Sequence, residues 1–330
     1  MAFHPPKAFA RLGRRTFLAS TILLACFGTN PALAANYPSH PVKVVVPFSP
    51  GGGTDIIARI VTQRLGEKLG TQFIVENKPG AAGTIGASSV AKADPDGYTL
   101  LVYHIAMVTV HHVQKNVPYD PLKDFTPIGQ IAAATNAVAV NAQLPVKNFK
   151  EFVELAKREP GKLHFGSSGL GGSDHLGGEM LQLATGIKLT HVPYKGGGPA
   201  NAAAASGEIQ LTAGTIAQSA AMIKAGKLRA LAVMQKERHP AFPDVPSAAE
   251  EGYPNLEYQT WFGMWGPAGM PQDVLQKISG ALKEVLARDD VREALNKAGV
   301  DPKFSTPEEY GAMTRDQYEK WNVILKGKFD

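Results

Sequence analysis

The stretch VVPFSPGGGTDIIARIV, residues 45–61, is the most informative part of the sequence about the fold. A valine-rich run ends at Val46, three glycines follow at 51–53, and apolar residues with helical spacing begin at Ile56. A strand that turns through glycines into a helix is a common anion site, because the helix N-terminus offers unpaired N–H groups and the positive end of a dipole. The stretch therefore predicts a strand, an anion-binding loop and a helix, with Asp55 as a first-turn acid that holds the loop.

The same order of strand, glycine-rich loop and helix recurs, and strand-like runs alternate with helical ones along the chain. This alternation predicts an α/β fold with mainly parallel sheets flanked by helices. Ligands of open α/β sheets bind beyond the carboxyl ends of the strands, so four such loops predict two sheets that face each other across a cleft. The four loops lie at residues 50–55, 78–86, 166–175 and 195–200.

Two long apolar strands, at 131–141 and 258–266, are expected to cross between the two lobes. The chain would then enter the second lobe once and return once. The predicted division is residues 1–34 as an export signal, 35–135 as the first part of lobe 1, 136–258 as lobe 2, and 259–330 as the second part of lobe 1 with C-terminal helices.

The first segment of the chain has the features of an export signal. Residues 1–34 carry four basic residues and no acidic one, an apolar run follows at 17–27, and the small-x-small cleavage site ALA stands at 32–34. The apolar run is far shorter than the ~20 residues that a membrane span needs. We therefore expect cleavage near Ala34. The arginine pair at 14–15 resembles a twin-arginine signal, with an ordinary secretory signal as the open alternative.

Charge and cysteine content narrow the classes of function. The net charge of +5 comes almost entirely from residues 1–34, because the remainder holds 30 basic against 29 acidic residues, and this balance argues against a nucleic-acid-binding surface. The single cysteine, Cys26, lies in the signal segment, where lipid attachment is an alternative to cleavage at Ala34. If cleavage occurs there, the mature chain has no cysteine, and therefore no disulfide and no thiolate site.

The sequence lacks motifs for enzymatic chemistry. Neither triple glycine is followed by Lys-Ser/Thr, as a phosphate-binding loop requires, and Ile56 breaks a G-x-G-x-x-G pattern. Ser173 and Asp174 lie beside a histidine without a nucleophile elbow, and we expect one of them to cap the following helix. The histidine pair at 111–112 lacks the i, i+4 spacing of a helical metal site. We therefore expect no catalytic residue, no metal and no cofactor.

Five motifs occur in a fixed order along the chain: YPSHPVKVVVPFSPGGGTDIIARIV, VENKPGAAGTIGASSVAKADPDGYTLL, VPYDPLKDFTPIG, HVPYKGGGPA, and GKLRALAV followed by FPDVPSAAEEGYP. In order and spacing they resemble the Bug (Bordetella uptake gene, TctC-type) substrate-binding proteins of tripartite tricarboxylate transporters. The resemblance covers essentially the whole mature chain. It implies a type II two-lobed periplasmic-binding-protein fold, a small carboxylate held between the lobes, and delivery to a two-subunit membrane permease.

The resemblance also implies which residues bind the ligand. In that family one ligand carboxylate is held by backbone amides and hydroxyls of the cleft loops, with ordered waters bridging to the glycine loop. We expect a periplasmic monomer. A periplasmic sensor that presents the carboxylate to a signalling receptor is the alternative, and its binding lobes would be identical. The implied positions are Pro50, Gly51, Gly52 and Asp55 in the first loop, Gly83 and Thr84 in the second, Ser167, Ser168, Gly169 and Ser173 in the third, and Tyr194, Gly196 and Gly197 in the fourth.

One segment departs from the family pattern. After the strand GYTLLVY the family usually has small hydroxylated residues, whereas this chain has HIAM at 104–107. A bulkier, less polar rim predicts an aromatic or otherwise apolar carboxylate, with Trp261 and Phe262 as a flat wall or, alternatively, as core residues. His104 is expected to donate a hydrogen bond to the ligand, and if the donor is a protonated imidazole, binding should weaken as pH rises.

Overall fold

The computed structural model describes residues 1–3 and 37–326. The expected export signal, with Cys26 and the cleavage site near Ala34, lies outside the described residues. Residues 37–326 form two β-sheets with helices packed on them, and each sheet is the centre of one lobe.

Lobe 1 is built on a six-stranded sheet. Its strands are β1 (Val42–Val46), β2 (Phe73–Asn77), β3 (Thr99–His104), β4 (Phe125–Thr135), β10 (Gln259–Pro267) and β11 (Asp301–Pro302). Their order across the sheet is β11-β4-β10-β3-β1-β2. The first four strands along the chain run in one direction, and β10 and β11 run against them. β1 lies between two parallel neighbours and buries four of its five residues, which explains its unbroken valine-rich sequence.

Lobe 2 is built on a five-stranded sheet. Its strands are β5 (Ala137–Asn141), β6 (His164–Ser167), β7 (Thr190–Pro193), β8 (Leu211–Thr212) and β9 (Leu228–Val233). Their order is β7-β6-β8-β5-β9. Here β5 alone runs against the other four strands, as β10 does in the interior of the first sheet. In both sheets the reversed interior strand is one end of a crossing between the lobes.

The helices follow the strands in the predicted alternation. They are α1 (Gly53–Leu69), α2 (Thr84–Ala91), α3 (Ala106–Thr109), α4 (Phe149–Arg158), α5 (Ser173–Thr185), α6 (Gly197–Ser206), α7 (Ile216–Lys224), α8 (Gln272–Ala287), α9 (Asp289–Lys297) and α10 (Pro307–Leu325). In α1 the buried apolar residues Ile57, Val61 and Leu65 recur every four positions and face the sheet. The helix ends at Gly70, whose positive φ of 72° closes the last turn.

The first crossing between the lobes is nearly continuous. The strand expected at 131–141 is broken at one residue, Asn136, which separates β4 from β5. The break has a physical cause, because the side chain of Asn136 serves both lobes: its Nδ2 donates to Ala213 O at 3.0 Å, and its Oδ1 accepts from Thr260 Oγ1 at 2.7 Å.

The second crossing meets the first at the same point. The segment between β9 and β10 begins at Met234, whose N–H donates to Asn136 O at 2.7 Å, and ends at Tyr258, whose N–H donates to Met234 O at 2.9 Å. The two connections are therefore joined side by side at Asn136, which is the natural position for a hinge.

This architecture confirms the predicted class, an α/β fold with two lobes and a cleft between them. Four strands of each sheet run in a common direction, as the expected mainly parallel sheets require. Among the helices of the described part of the chain, none is both long and apolar enough to cross a bilayer.

Candidate ligand-binding site

A narrow cavity lies where the two lobes meet, with room for little more than a water molecule in this conformation. Entry of a ligand with several heavy atoms therefore requires the lobes to separate. Lobe 1 contributes six lining residues and lobe 2 five. The lining is Phe48, Gly52, Gly53, Thr54, His104 and Phe262 from lobe 1, and Ser168, Ser173, Gly197, Thr215 and Gln218 from lobe 2.

Four helices, α1, α5, α6 and α7, begin at this cavity, since residues at their N-termini line it. None of the four is capped by a side chain. Among the six described α-helices that begin elsewhere, α4 and α10 are capped, by Asn148 and by a Thr306–Glu309 capping box, and the other four also have no side-chain cap. What distinguishes the cavity is therefore the meeting of four helix N-termini there. The free N–H groups and the positive ends of four dipoles favour an anion, and among the described residues no Lys or Arg side chain lines the cavity.

The first and fourth glycine loops touch across the cleft through their backbones. Ser49 N and Oγ both approach Lys195 O, at 3.2 and 3.0 Å. A Cβ atom added at Gly52 would stand 3.6 Å from Gly198 N. Because no large side chain stands between the two loops, the lobes approach each other closely on this side of the cavity.

The third loop also touches lobe 1, through the side chain of Thr109 in α3 and through the backbone of the second loop. Thr109 Oγ1 of lobe 1 donates to Gly171 O of lobe 2 at 2.7 Å. A Cβ atom at Gly169 would stand 2.9 Å from Ala82 N, and the φ of +122° at Gly169 also requires glycine. The two lobes are therefore in backbone contact on both sides of the cavity.

Asp55 holds the first loop and does not line the cavity. Its Oδ2 accepts from Gly51 N and from Arg59 Nε, each at 3.0 Å, and its Oδ1 accepts from Asn77 Nδ2 at 2.9 Å. Burial alone would raise the pKa of Asp55, but these hydrogen bonds and the charge of Arg59 outweigh it and lower the pKa. The carboxylate is thus fully satisfied within lobe 1.

Asp174 occupies the comparable place in lobe 2 with different surroundings. The Ser168 N–H and hydroxyl donate to its Oδ1, at 2.8 and 2.6 Å, while its Oδ2 is buried without a hydrogen-bond partner. Burial raises the pKa of Asp174 despite the hydrogen bonds from Ser168 and a contribution from Gln218. The expectation that Ser173 or Asp174 caps α5 is wrong, because the N-cap is Gly172 and Asp174 binds the preceding loop instead.

Aromatic rings cover the lobe 1 side of the cavity. The His104 ring stacks on Phe48 at 4.7 Å and meets Phe262 edge-on at 5.9 Å. His104 Nδ1 accepts from Ala106 N–H at 3.0 Å, which leaves the proton on Nε2. Burial lowers the pKa of His104 to about 3. The expectation of a protonated imidazole as the donor is therefore wrong at neutral pH. The neutral ring offers one donor, the Nε2–H group.

Five of the site residues predicted from the sequence line the cavity: Gly52, Ser168, Ser173 and Gly197, which the family resemblance implied, and His104, from the segment that departs from the family pattern. Others lie beside it and support the loops. Ser167 Oγ accepts from Gly169 N at 3.0 Å and contacts His191 Nε2 at 2.5 Å, and Tyr194 OH donates to Glu208 at 2.8 Å. Those outside the lining are Pro50, Gly51, Asp55, Gly83, Thr84, Ser167, Gly169, Tyr194, Gly196 and Trp261.

Trp261 and Phe262 point to opposite faces of β10. Phe262 lines the cavity, whereas Trp261 packs 5.9 Å from Tyr310 on the C-terminal helix and 6.1 Å from Trp265. Successive side chains of a strand alternate between faces, so one of the two had to face away. Trp261 therefore belongs to the packing of α10 on the sheet.

Thr215 and Gln218 line the cavity without having been singled out by the sequence. They lie at the start of α7, after the two-residue strand β8, where no run of glycines marks the loop. Gly214 directly before Thr215 is the only local sign of a turn. The sequence also did not predict three further lining residues, although they lie in the stretch 45–61: Phe48, Gly53 and Thr54.

A family model described as the tripartite tricarboxylate transporter family receptor, TctC, matches residues 57–328. The chain belongs to the TctC family. The resemblance noted in the sequence is thereby confirmed, and it extends over nearly all of the part of the chain that the structure describes.

Solved structures agree with this TctC assignment. The periplasmic binding protein BugD is 35% identical, with a TM-score of 0.85 over 88% of this chain and 98% of its own. An R. palustris protein solved with adipate is 33% identical, with a TM-score of 0.85 over 88% and 97%. MatC from Rhodopseudomonas palustris, solved with bound malate, is 30% identical, with a TM-score of 0.84 over 88% and 100%. The fold is therefore that of a periplasmic binding protein.

Proposed function

We propose that the protein captures a small carboxylate in the inter-lobe cavity, in the periplasm, and delivers it to a two-subunit membrane permease of the tripartite tricarboxylate type. The observation that carries the proposal is the convergence of four uncapped helix N-termini on a cavity without a lysine or arginine. Such a site binds an anion through backbone N–H groups and hydroxyls. Relatives solved with adipate and malate support a carboxylate as that anion.

The aromatic side of the cavity favours a ligand with an apolar body. Phe48, His104 and Phe262 present ring surfaces there, and the neutral His104 offers a single N–H donor. Covering about 100 Å² of a ligand ring would favour binding by roughly 2–3 kcal/mol, whereas each buried ligand hydroxyl left unpaired would cost ~1–3 kcal/mol. We therefore propose an aromatic or otherwise apolar carboxylate in preference to a hydroxylated one such as citrate or malate.

A thermal-shift and calorimetry panel tests both parts of the proposal. Benzoate, phenylacetate and adipate are compared with malate and citrate on the mature protein, and native mass spectrometry of protein purified from its host identifies a co-purified acid. We expect the aromatic acids to raise the melting temperature most. Binding of no acid would overturn the carboxylate site, and citrate or malate in first place would overturn the apolar preference alone.

Delivery to a permease needs a separate measurement. Deletion of the gene should abolish uptake in the host of the acid that binds best, and expression of the full chain should restore it. Undiminished uptake in the deletion strain would contradict a transport role.

A further inference from the structure

Lobe 2 presents buried polar atoms without partners at the cavity. Thr215 is 2% exposed, and its Oγ1 has no hydrogen-bond partner among the described residues; Gln218 Nε2 is buried beside the Asp174 carboxyl group and has no other partner there. Both residues line the cavity. A buried donor without a partner is costly, and in a native protein it calls for an explanation such as a ligand.

The Gln218 amide has a fixed position between backbone segments. A Cβ atom at Gly197 would collide with Gln218 Oε1, and one at Gly214 would collide with Gln218 Nε2. The amide is therefore packed between two glycines, one at the start of α6 and one before α7. The same Gly214 position lies 3.3 Å from Asp174 Cβ, so the amide nitrogen stands next to the Asp174 carboxyl group.

This arrangement addresses a problem of like charges. An anion in the cavity would lie near the buried carboxyl group of Asp174, which has no cation beside it and whose Oδ2 has no partner. The amide nitrogen of Gln218 carries two hydrogens, so it can donate one to Asp174 and one to the ligand. Thr215 Oγ1, at the N-cap of α7, adds a hydroxyl donor next to the positive end of that helix.

We propose that Thr215 and Gln218 are the specificity-determining residues of lobe 2, which donate hydrogen bonds to the ligand carboxylate, and that the Gln218 amide separates this carboxylate from Asp174. The proposal rests on the proposed carboxylate site and names the residues that distinguish a carboxylate from a neutral group of the same shape.

The test uses matched acids and amides on the mature protein. Benzoate is compared with benzamide, and adipate with adipamide, by calorimetry for the wild type, Thr215→Val and Gln218→Leu. We expect each variant to weaken binding of the better-bound acid at least tenfold and to leave the amide within about threefold, because hydrogen bonds to charged groups are the stronger ones. The acid-to-amide ratio is thus the decisive quantity.

Stability separates this role from a structural one. Since Thr215 Oγ1 has no partner among the described residues, Thr215→Val removes no hydrogen bond, and the melting temperature of this unliganded variant should stay equal or rise. Gln218→Leu also removes the amide beside Asp174, so the stability criterion is applied to Thr215→Val. The matched control is Thr185→Val in α5, which removes a buried hydroxyl bonded to Leu181 O at 2.6 Å and should lower the melting temperature without changing affinity.

Unchanged acid-to-amide ratios in both variants, with a wild type that binds an acid, would overturn this inference and leave the proposed function standing. A lowered melting temperature with an unchanged ratio would assign Thr215 and Gln218 to packing and would also overturn it. Binding of no acid by the wild type would overturn the proposed function, and the inference with it.

Discussion

Asp55 and Asp174 stand in corresponding positions of the two lobes, yet their surroundings are opposite. Each follows a glycine-rich loop, lies in the first turn of a helix that begins at the cavity, and accepts a backbone N–H from its own loop. Asp55 also binds Arg59 and Asn77, so both its oxygens are satisfied. Asp174 has no cation among its partners in the described part of the chain: Ser168 donates to its Oδ1, and the Gln218 amide is the group beside its buried Oδ2.

The difference shows that the two lobes are prepared for a ligand to different degrees. In lobe 1 the loop is held by hydrogen bonds and an ion pair that exist before any ligand arrives. In lobe 2 the third glycine loop and the start of α7 contain buried polar atoms whose hydrogen-bonding capacity is not fully used within the protein. The lobe 1 side of the cavity therefore has its hydrogen bonds in place without a ligand, whereas polar atoms on the lobe 2 side are available to one.

The largest effect on ligand affinity is expected from a bulky side chain at Gly52, in the first loop of lobe 1. Gly52 has an ordinary extended conformation, with φ of −80°, so a side chain there brings no backbone strain. A Cβ fits at 3.6 Å from Gly198 N, but the branched methyl groups of Gly52→Val would press on the fourth loop and on the ligand space. We expect benzoate or adipate affinity to fall at least ~100-fold by calorimetry, about 2.8 kcal/mol. Circular dichroism should show an unchanged fold.

Gly52→Ala is the control for this variant, because its single methyl makes only an ordinary contact. It should bind within a few-fold of wild type. If Gly52→Val bound the acids as tightly as wild type, the first loop would not belong to the site, and the comparison of the two lobes as sides of one site would be wrong.

The second prediction concerns the Asp55–Arg59 ion pair, which has no counterpart at Asp174 among the described residues. Asp55→Ala removes three hydrogen bonds and leaves the Gly51 N–H without its acceptor. We expect the free energy of unfolding in urea to fall by about 1–3 kcal/mol, since three hydrogen bonds to a buried charged group are lost, although the half-exposed Arg59 can be solvated again and Asn77 Nδ2 keeps Phe48 O as an acceptor. The exposed Asp94→Ala should change it by less than ~0.5 kcal/mol. Equal stability of the two variants would mean that the carboxylate does not hold the loop.

A third, smaller effect distinguishes the two aspartates by the sign of their pH dependence. The pKa of Asp55 is lowered from its ordinary value of 3.8, so its contribution to stability is present above pH 3.8 and is lost as pH falls through the native pKa. The pKa of Asp174 is raised by burial, so its contribution is full below pH 3.8 and is lost as pH rises through the native pKa. Unfolding of wild type, Asp55→Asn and Asp174→Asn is compared from pH 3 to 7.

The stability advantage of wild type over Asp55→Asn should grow with pH over this range, and its advantage over Asp174→Asn should shrink or reverse. Two parallel trends would show that the carboxyl groups have similar surroundings in solution, contrary to the comparison.

The smallest effect is expected for the pH dependence of ligand binding, because His104 should not titrate in the neutral range. Burial holds the pKa of His104 at about 3, so its charge does not change between pH 5 and 8. His104→Ala should weaken benzoate binding at every pH, through the lost ring contact with Phe48, and the ratio of wild-type to variant affinity should stay constant. A ratio that falls as pH rises would indicate a protonated imidazole at the ligand.

Much of the fold could be predicted from local patterns in the sequence. Strand, glycine loop and helix follow each other visibly, and the opening stretch became β1, its loop and α1. The break of the long strand at Asn136 was not visible, because its cause is a set of contacts with Ala213, Met234 and Thr260, which are distant in sequence. The short β11 likewise exists only through pairing with β4.

The site was harder to predict than the fold, because the sequence does not show which way some side chains point and because some of the lining residues lie in segments without a clear pattern. β10 is buried on both faces, so its sequence could not tell whether Trp261 or Phe262 faces the cavity. Thr215 and Gln218 follow a strand of only two residues and a single glycine, and their importance depends on partners that they lack. The charge state of His104 depends on burial, which no neighbouring residue in the sequence indicates.

The backbone contacts between the glycine loops have a consequence for how this family diversifies. The lobes meet through atoms that every residue possesses, at Ser49 with Lys195 and at Ala82 with Gly169, so closing the cleft requires little from the side chains between them. Substitutions at the aromatic residues or at the start of α7 can therefore change the lining of the cavity while these contacts between the lobes stay the same. Relatives solved with acids as unlike as adipate and malate share the fold, as expected where inter-lobe contacts do not depend on the side chains around the cavity.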